Sequence, residues 1–173
     1  TTETAVSFRL LKNLLIEKYG KESLKDAIFA TTDKARGALK KEADKEGYDC
    51  FVIPDDVGGR YSVITPVGLL PIAVAGIDIE EFIKGVIDGE KDYSNLDYKQ
   101  NPAYYYGALR YAMKIEKRKT SEMFVSYNLQ YQMIGEWLKQ LFDESEGKDY
   151  QALLCTSATF TTDLHSMGQF IQQ

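Results

Sequence analysis

The chain has 173 residues, 44% of them apolar and 27% charged, with a formal charge of −5, which is one ordinary domain's worth of globular protein. Lys and Arg stand beside Asp and Glu throughout, and this excludes a broad nucleic-acid or membrane-binding surface, so any anion must be held by a local site. Cys50 and Cys155, the only cysteines, each lie in an apolar strand-like run and read as buried, reduced thiols, neither disulfide partners nor metal ligands, as fits a reducing cytoplasm.

In chain order, "TAVSFRLLKNLLIEKYG" places Val6, Leu10, Leu11, Leu14 and Leu15 on one stripe and ends at Gly20, the pattern of an amphipathic helix. "DAIFATT" reads as a short strand, "KARGALKKEADKEG" as an exposed helix closed by Gly47, and "DCFVIP" as a second strand. Apolar strands without polar alternation, separated by helices, predict a parallel sheet covered on both faces. Two helical stretches follow, "TPVGLLPIAVAG" and "DIEEFIKGVIDG". The longest apolar run, "VITPVGLLPIAVAGI", is too short and too broken by Pro and Gly to span a bilayer, and no signal peptide is visible.

Residues 88–102, "DGEKDYSNLDYKQNP", are polar, without apolar periodicity and end in proline; they read as a boundary or connector. Beyond them the strand and helix alternation restarts: "AYYYGALRYAMKIEKRK" helical, "EMFVSY" a strand, "GEWLKQLFDES" the end of a helix, "ALLCTS" a strand. The tyrosines at 104–106 read as a half-buried helix face or as a ligand platform.

Four places carry candidate chemistry, each beside a plainer reading. "DDVGGRYSVIT", after the apolar run "CFVIP", sets two glycines and Arg60 where backbone N–H groups and a guanidinium fork can hold an anion; alternatively it is a strand-to-helix turn with a solvated arginine. On the helix ending near residue 145, Ile134, Trp137, Leu138 and Leu141 form the expected buried stripe, while Glu136, Gln140 and Glu144 recur every four residues on another face. That ladder is either a solvated surface or a place for a general base at a helix C-terminus, where the dipole makes a carboxylate more basic. Gly147 reads as the C-cap. The single histidine, His165, falls in the first turn of a helix with Thr162 or Asp163 as N-cap, either as a capped or core residue or as a proton exchanger. The opening "TTETAVSF" offers hydroxyls and N–H groups at a helix start, as a phosphate site or a simple N-cap.

All four of these places carry a resemblance. "VGGRYSVITPVGLLPIAVAGIDIE" resembles the glycine-arginine signature of the glucose-6-phosphate isomerase (phosphoglucose isomerase) family in its shorter bacterial form. "WLKQLFDESEGKD" is similar to the family's segment with the catalytic glutamate, and "TTDLHSMGQFIQ" to the one with its histidine. "TTET" resembles the tail of its Ser/Thr-rich phosphate loop.

The resemblance covers essentially the whole chain and implies an α/β fold, a three-layer α/β/α sandwich with parallel sheets of the sugar-isomerase type. The chain would be an internal slice of two such domains: residues 1–90 the later part of the first, residues 91–173 the connector and the opening of the second. The implied reaction interconverts glucose 6-phosphate and fructose 6-phosphate by ring opening and proton transfer through a cis-enediolate, without metal or organic cofactor. By matching positions, Glu144 would shuttle the proton, His165 assist ring opening and Arg60 stabilise the enediolate. Gln140, Gly59, Thr1, Thr4 and Glu3 would bind substrate, Thr1 and Thr4 at its phosphate with Glu3 between them. The family's histidine reaches the partner subunit's site, so a homodimer, cytoplasmic and without nucleic-acid or membrane partners, is implied. The first part of the phosphate loop and the lysine segment used in ring opening are not among these residues, so the slice alone is expected to be impaired. The competing readings are a non-catalytic phosphosugar-binding module and an inactive structural fragment.

Overall fold

The computed structural model describes residues 2–173, so the candidate Thr1 lies outside the described residues. The chain divides into two compact units, Thr1–Ile83 and Lys84–Gln173.

In the first unit, helix α1 (Thr2–Tyr19) leads through a 3₁₀ turn into the short α2 (Leu24–Ala27), strand β1 (Phe29–Thr32), helix α3 (Ala38–Glu46) and strand β2 (Asp49–Val52). β1 and β2 pair in parallel, Phe29 opposite Asp49 and Thr32 opposite Val52, as their apolar composition predicts. α3 stops because Gly47 adopts a left-handed φ of 77°, accessible to glycine at no steric cost. The N–H groups of Gly47 and Tyr48 then both return to the Ala43 carbonyl. This turn drops Tyr48 into the core with Leu24, Ala30 and Ala43, against which Phe8, Leu15, Ile16, Ile28 and Leu39 pack.

Two expectations need correction in this unit. α1 docks through Phe8, Leu15 and Ile16, with the stem of Lys12 between them reaching Glu42 on α3 at 2.6 Å. Val6, Leu10, Leu11 and Leu14 are exposed instead of forming the buried stripe. The helix is apolar on two faces, so spacing alone could not select the docking one. All four residues of β2, Cys50 included, are likewise exposed. β1 is its one partner strand among the described residues, and a two-stranded sheet has no second neighbour to cover that edge.

A 3₁₀ turn (Gly59–Ile64) and helix α4 (Pro66–Val74) follow. Helix α5 (Ile79–Tyr93) crosses the division between the units and runs six residues into the stretch that reads as a connector. The remainder of that stretch is a built loop: Asn101, 1% exposed, accepts from the N–H groups of Ala103 and Tyr104 and donates to the carbonyls of Tyr93 and Asn95, both at 2.8 Å. It thereby caps α6 (Pro102–Ile115) and ties the loop to the end of α5. Of the three tyrosines at 104–106, Tyr106 turns inward and the other two are exposed.

The second unit continues through β3 (Ser121–Ser126), α7 (Gln132–Lys139), β4 (Leu154–Thr159) and α8 (Thr162–Gln172). β3 and β4 are parallel, Ser121 opposite Leu154 and Ser126 opposite Thr159. Leu153, Cys155 and Ala158 are its buried apolar residues. Among the described residues no helix is long and apolar enough to cross a membrane.

Candidate active site

In the first unit, Arg60 and Gly59 stand at the start of the 3₁₀ turn, which two buried hydroxyls hold in shape. Ser62 Oγ donates to the Gly59 carbonyl at 2.6 Å. Thr65 Oγ1 donates to the Ser62 carbonyl at 2.6 Å while accepting from the Val67 N–H as the N-cap of α4. Pro66 at the first helical position completes the start. Behind the turn, Gly68 passes so close to the Val63 backbone that a Cβ there would overlap its carbonyl oxygen. Gly59 is different: its φ lies outside the left-handed region and nothing stands within 4 Å of where its Cβ would be. Internal packing therefore does not account for glycine at 59.

Glu3 and Thr4 lie in the first turn of α1, at the positive end of its dipole. Thr4 lines a cavity of about 940 Å³ together with Arg9, Lys12, Asp33 and Arg36.

In the second unit, α7 does not end as the spacing predicts. From Gln140 to Glu144 the backbone widens into a π turn, a form enriched at functional sites. Gln140 Nε2 donates to Glu144 Oε2 at 3.2 Å, with both side chains exposed. Glu136, first in the four-residue ladder, is separately engaged. It accepts from Ser157 Oγ at 3.2 Å and pairs with Lys139 at 2.7 Å, and the lysine holds its carboxyl below the ordinary value.

The expected buried stripe is also corrected. Ile134 and Trp137 are exposed, Leu138 and Leu141 half-buried, and Gly135 is the buried residue of α7. A Cβ at 135 would stand 2.9 Å from the Ser157 Cβ, so the helix lies directly on β4 through its glycine, a contact to which apolar periodicity is blind. Gly147 does close the turn, its N–H returning to the Asp143 carbonyl at 2.9 Å. Its φ is outside the left-handed region, and what excludes a Cβ is the Asp143 carbonyl oxygen itself.

His165 is exposed in the first turn of α8. The N-cap is Thr161, one residue before the expected pair. Asp163 is drawn off to accept from the Thr159 N–H at 2.6 Å, so its carboxylate fastens the end of β4 and does not cap the helix.

Beneath the π turn sits a polar cluster that spacing does not reveal. Arg110 on α6 bonds Glu122 of β3 at 2.7 Å and both carboxylate oxygens of Glu146 at 2.9 and 3.0 Å. Tyr106 donates to the other oxygen of Glu122. Burial lowers the basicity of the Arg110 guanidinium, but the bonds to Glu146 and Glu122 outweigh it and hold the group above its ordinary pKa. Burial and then the Glu122 bond raise the Tyr106 phenol. The signal in the sequence was a lone arginine among the apolar residues of "YYYGALRYAM".

Two parallel strand pairs flanked by helices define an α/β protein of the sugar-isomerase type. Its architecture is matched over 100% of this chain and 42% of the other by the crystal structure of a hypothetical protein from Thermus thermophilus, with a TM-score of 0.84 at 27% identity. Residues 1–168 match the phosphoglucose isomerase family, and the chain belongs to it. It is 57% identical over its whole length to a glucose-6-phosphate isomerase of Bacillus cereus strain AH187 and 58% identical to one of Clostridium novyi strain NT. The chain spans 38% of the length of each of these curated relatives.

Proposed function

We propose that the full-length protein interconverts glucose 6-phosphate and fructose 6-phosphate, working in the cytoplasm as a homodimer without metal or organic cofactor. On this reading residues 1–90 belong to the first sugar-isomerase-type domain, and residues 91–173 are the connector and opening part of the second. Thr1 and Thr4 hold the phosphate, with Glu3 between them. His165, presented to the site of the partner subunit, assists ring opening. Glu144 takes the proton from carbon 2 and returns it to carbon 1, with Gln140 binding substrate beside it. Arg60 and the backbone at Gly59 stabilise the negative charge of the cis-enediolate, an electrostatic contribution that is often the largest in such reactions.

The observation that carries the reading is the Gln140–Glu144 pair, joined at 3.2 Å on a π turn. A solvated ladder has no need of a widened turn that presents an amide and a carboxylate together. A module that only sensed a phosphosugar would need neither.

The test is fructose 6-phosphate formation from glucose 6-phosphate by the full-length protein and its Glu144→Gln variant. Loss of a positioned base costs on the order of 10²- to 10⁴-fold in kcat, and binding of the sugar phosphate is expected to stay within a few-fold because the base acts chiefly in the transition state. Undiminished turnover in the variant refutes the role of Glu144. A wild type that binds the sugar phosphate but does not turn it over is the non-catalytic binding module.

A further inference from the structure

We infer that Arg110 is a positioning residue for Glu144, holding the π turn so that the carboxylate meets the substrate. The inference rests on the reading of Glu144 as the proton-transfer base.

Glu144 is exposed, whereas the residues around it on the same turn are fixed to other elements. Phe142 lies over the Arg110 guanidinium, its ring centre 3.9 Å from the Arg110 Cζ, and stacks on Phe124 of β3 with ring centres 5.9 Å apart. Asp143 Oδ1 accepts the Cys155 N–H of β4 at 2.8 Å. Glu146, just beyond the turn, receives Arg110 Nη1 on both oxygens. One guanidinium thus touches Phe142 on the turn and Glu146 just beyond it, while its Nε anchors it to Glu122 on β3.

The anchoring end is dry. The side chains of Arg110 and Glu122 are 10% and 18% exposed, and that of Glu146 is 44% exposed. A π turn has poorer backbone geometry than the α-helix it interrupts and persists where its surroundings over-determine it. Ion pairs at the shielded end, a cation against an aromatic face and a carboxylate on a strand N–H supply that constraint. A lysine cannot replace the arginine, since an ammonium has no flat face for Phe142 and no fork spanning Glu122 and Glu146.

The experiment measures kcat and KM for glucose 6-phosphate in the full-length protein carrying Arg110→Lys, with Phe142→Leu as a second variant and Glu144→Gln as control. Unfolding midpoints show which variants are folded. A displacement of about 1 Å in a reacting group costs on the order of 10²-fold, so folded Arg110→Lys is expected to lose between about tenfold and a hundredfold in kcat, with KM within about twofold of wild type. Phe142→Leu, which leaves both ion pairs intact, is expected to lose kcat in the same pattern and by less.

Wild-type kcat in folded Arg110→Lys overturns the inference, as does a rise in KM as large as the fall in kcat, which would mark loosened binding. If Arg110→Lys does not fold, Phe142→Leu decides: lowered kcat at unchanged KM sustains the inference and unchanged kcat overturns it. The two readings fail separately. An inactive Glu144→Gln beside a fully active Arg110→Lys removes only the positioning role, whereas an active Glu144→Gln removes the base and this inference with it.

Discussion

Three glycines near the candidate catalytic groups stand in three different surroundings, and substitution separates them. At Gly135 the obstacle is the Ser157 side chain, 2.9 Å from a Cβ, which can yield only by pushing α7 off β4. At Gly147 it is the Asp143 backbone carbonyl, which cannot rotate aside. Gly59 meets nothing and has an ordinary φ. Overpacking costs about 1–3 kcal/mol, so Gly135→Ala and Gly147→Ala are expected to lower stability in urea by that much. Gly59→Ala is expected to leave stability unchanged or raise it by a few tenths of a kcal/mol, since alanine lowers the entropy of the unfolded chain. It should nevertheless lower turnover in the full-length protein. Destabilisation by Gly59→Ala with normal turnover would show that the glycine serves the turn and not a ligand. The sequence pointed to Gly59 and Gly147 but not to Gly135, whose obstacle, the Ser157 side chain, is brought near only by the fold.

Among the elements, the 3₁₀ turn that presents Arg60 depends on a helix cap more than on its own residues. Thr65 accepts from the Val67 N–H and donates to the Ser62 carbonyl, while Ser62 closes the turn through Gly59. Thr65→Ala removes both bonds and leaves the α4 N-terminus uncapped, an expected loss of about 1 kcal/mol. Thr65→Ser, which keeps the hydroxyl, should recover most of it; thermal unfolding of the two variants checks this. The cap was legible as Thr-Pro before an apolar run, and so were the parallel strand pairs and most helix positions. The docking face of α1 was not, because Phe8 and Ile16 compete with a more conspicuous leucine stripe. The π turn was not either, since it is imposed by Arg110 and β4 and leaves no periodicity of its own.

For the whole molecule, the order of strands and helices gave the fold class, and the segments 57–80, 137–149 and 161–172 gave the family through their resemblance. The residues by themselves left the roles of Glu144, Arg60 and His165 open. Burial was harder to read, because an apolar run does not reveal how many strands will flank it. The two cysteines test this point, one in each unit. Cys50, on the exposed β2, should react at once with an aromatic disulfide reagent under mildly alkaline conditions, whereas Cys155, 2% exposed on β4, should react only as its unit opens. Burial, and then the Glu122 carboxylate, pushes the Cys155 thiol from its ordinary 9.0 up to about 11. The native state therefore keeps this proton where the unfolded chain has already released it. The resulting stabilisation is complete below pH 9 and is lost as the pH rises toward 11. Urea midpoints measured across that window should consequently fall more steeply for the wild type than for Cys155→Ala, in which this thiol is gone while the tyrosines and other alkaline groups remain. Parallel slopes for the two proteins would mean that the thiol titrates alike in the folded and unfolded chains, and that β4 does not shield it.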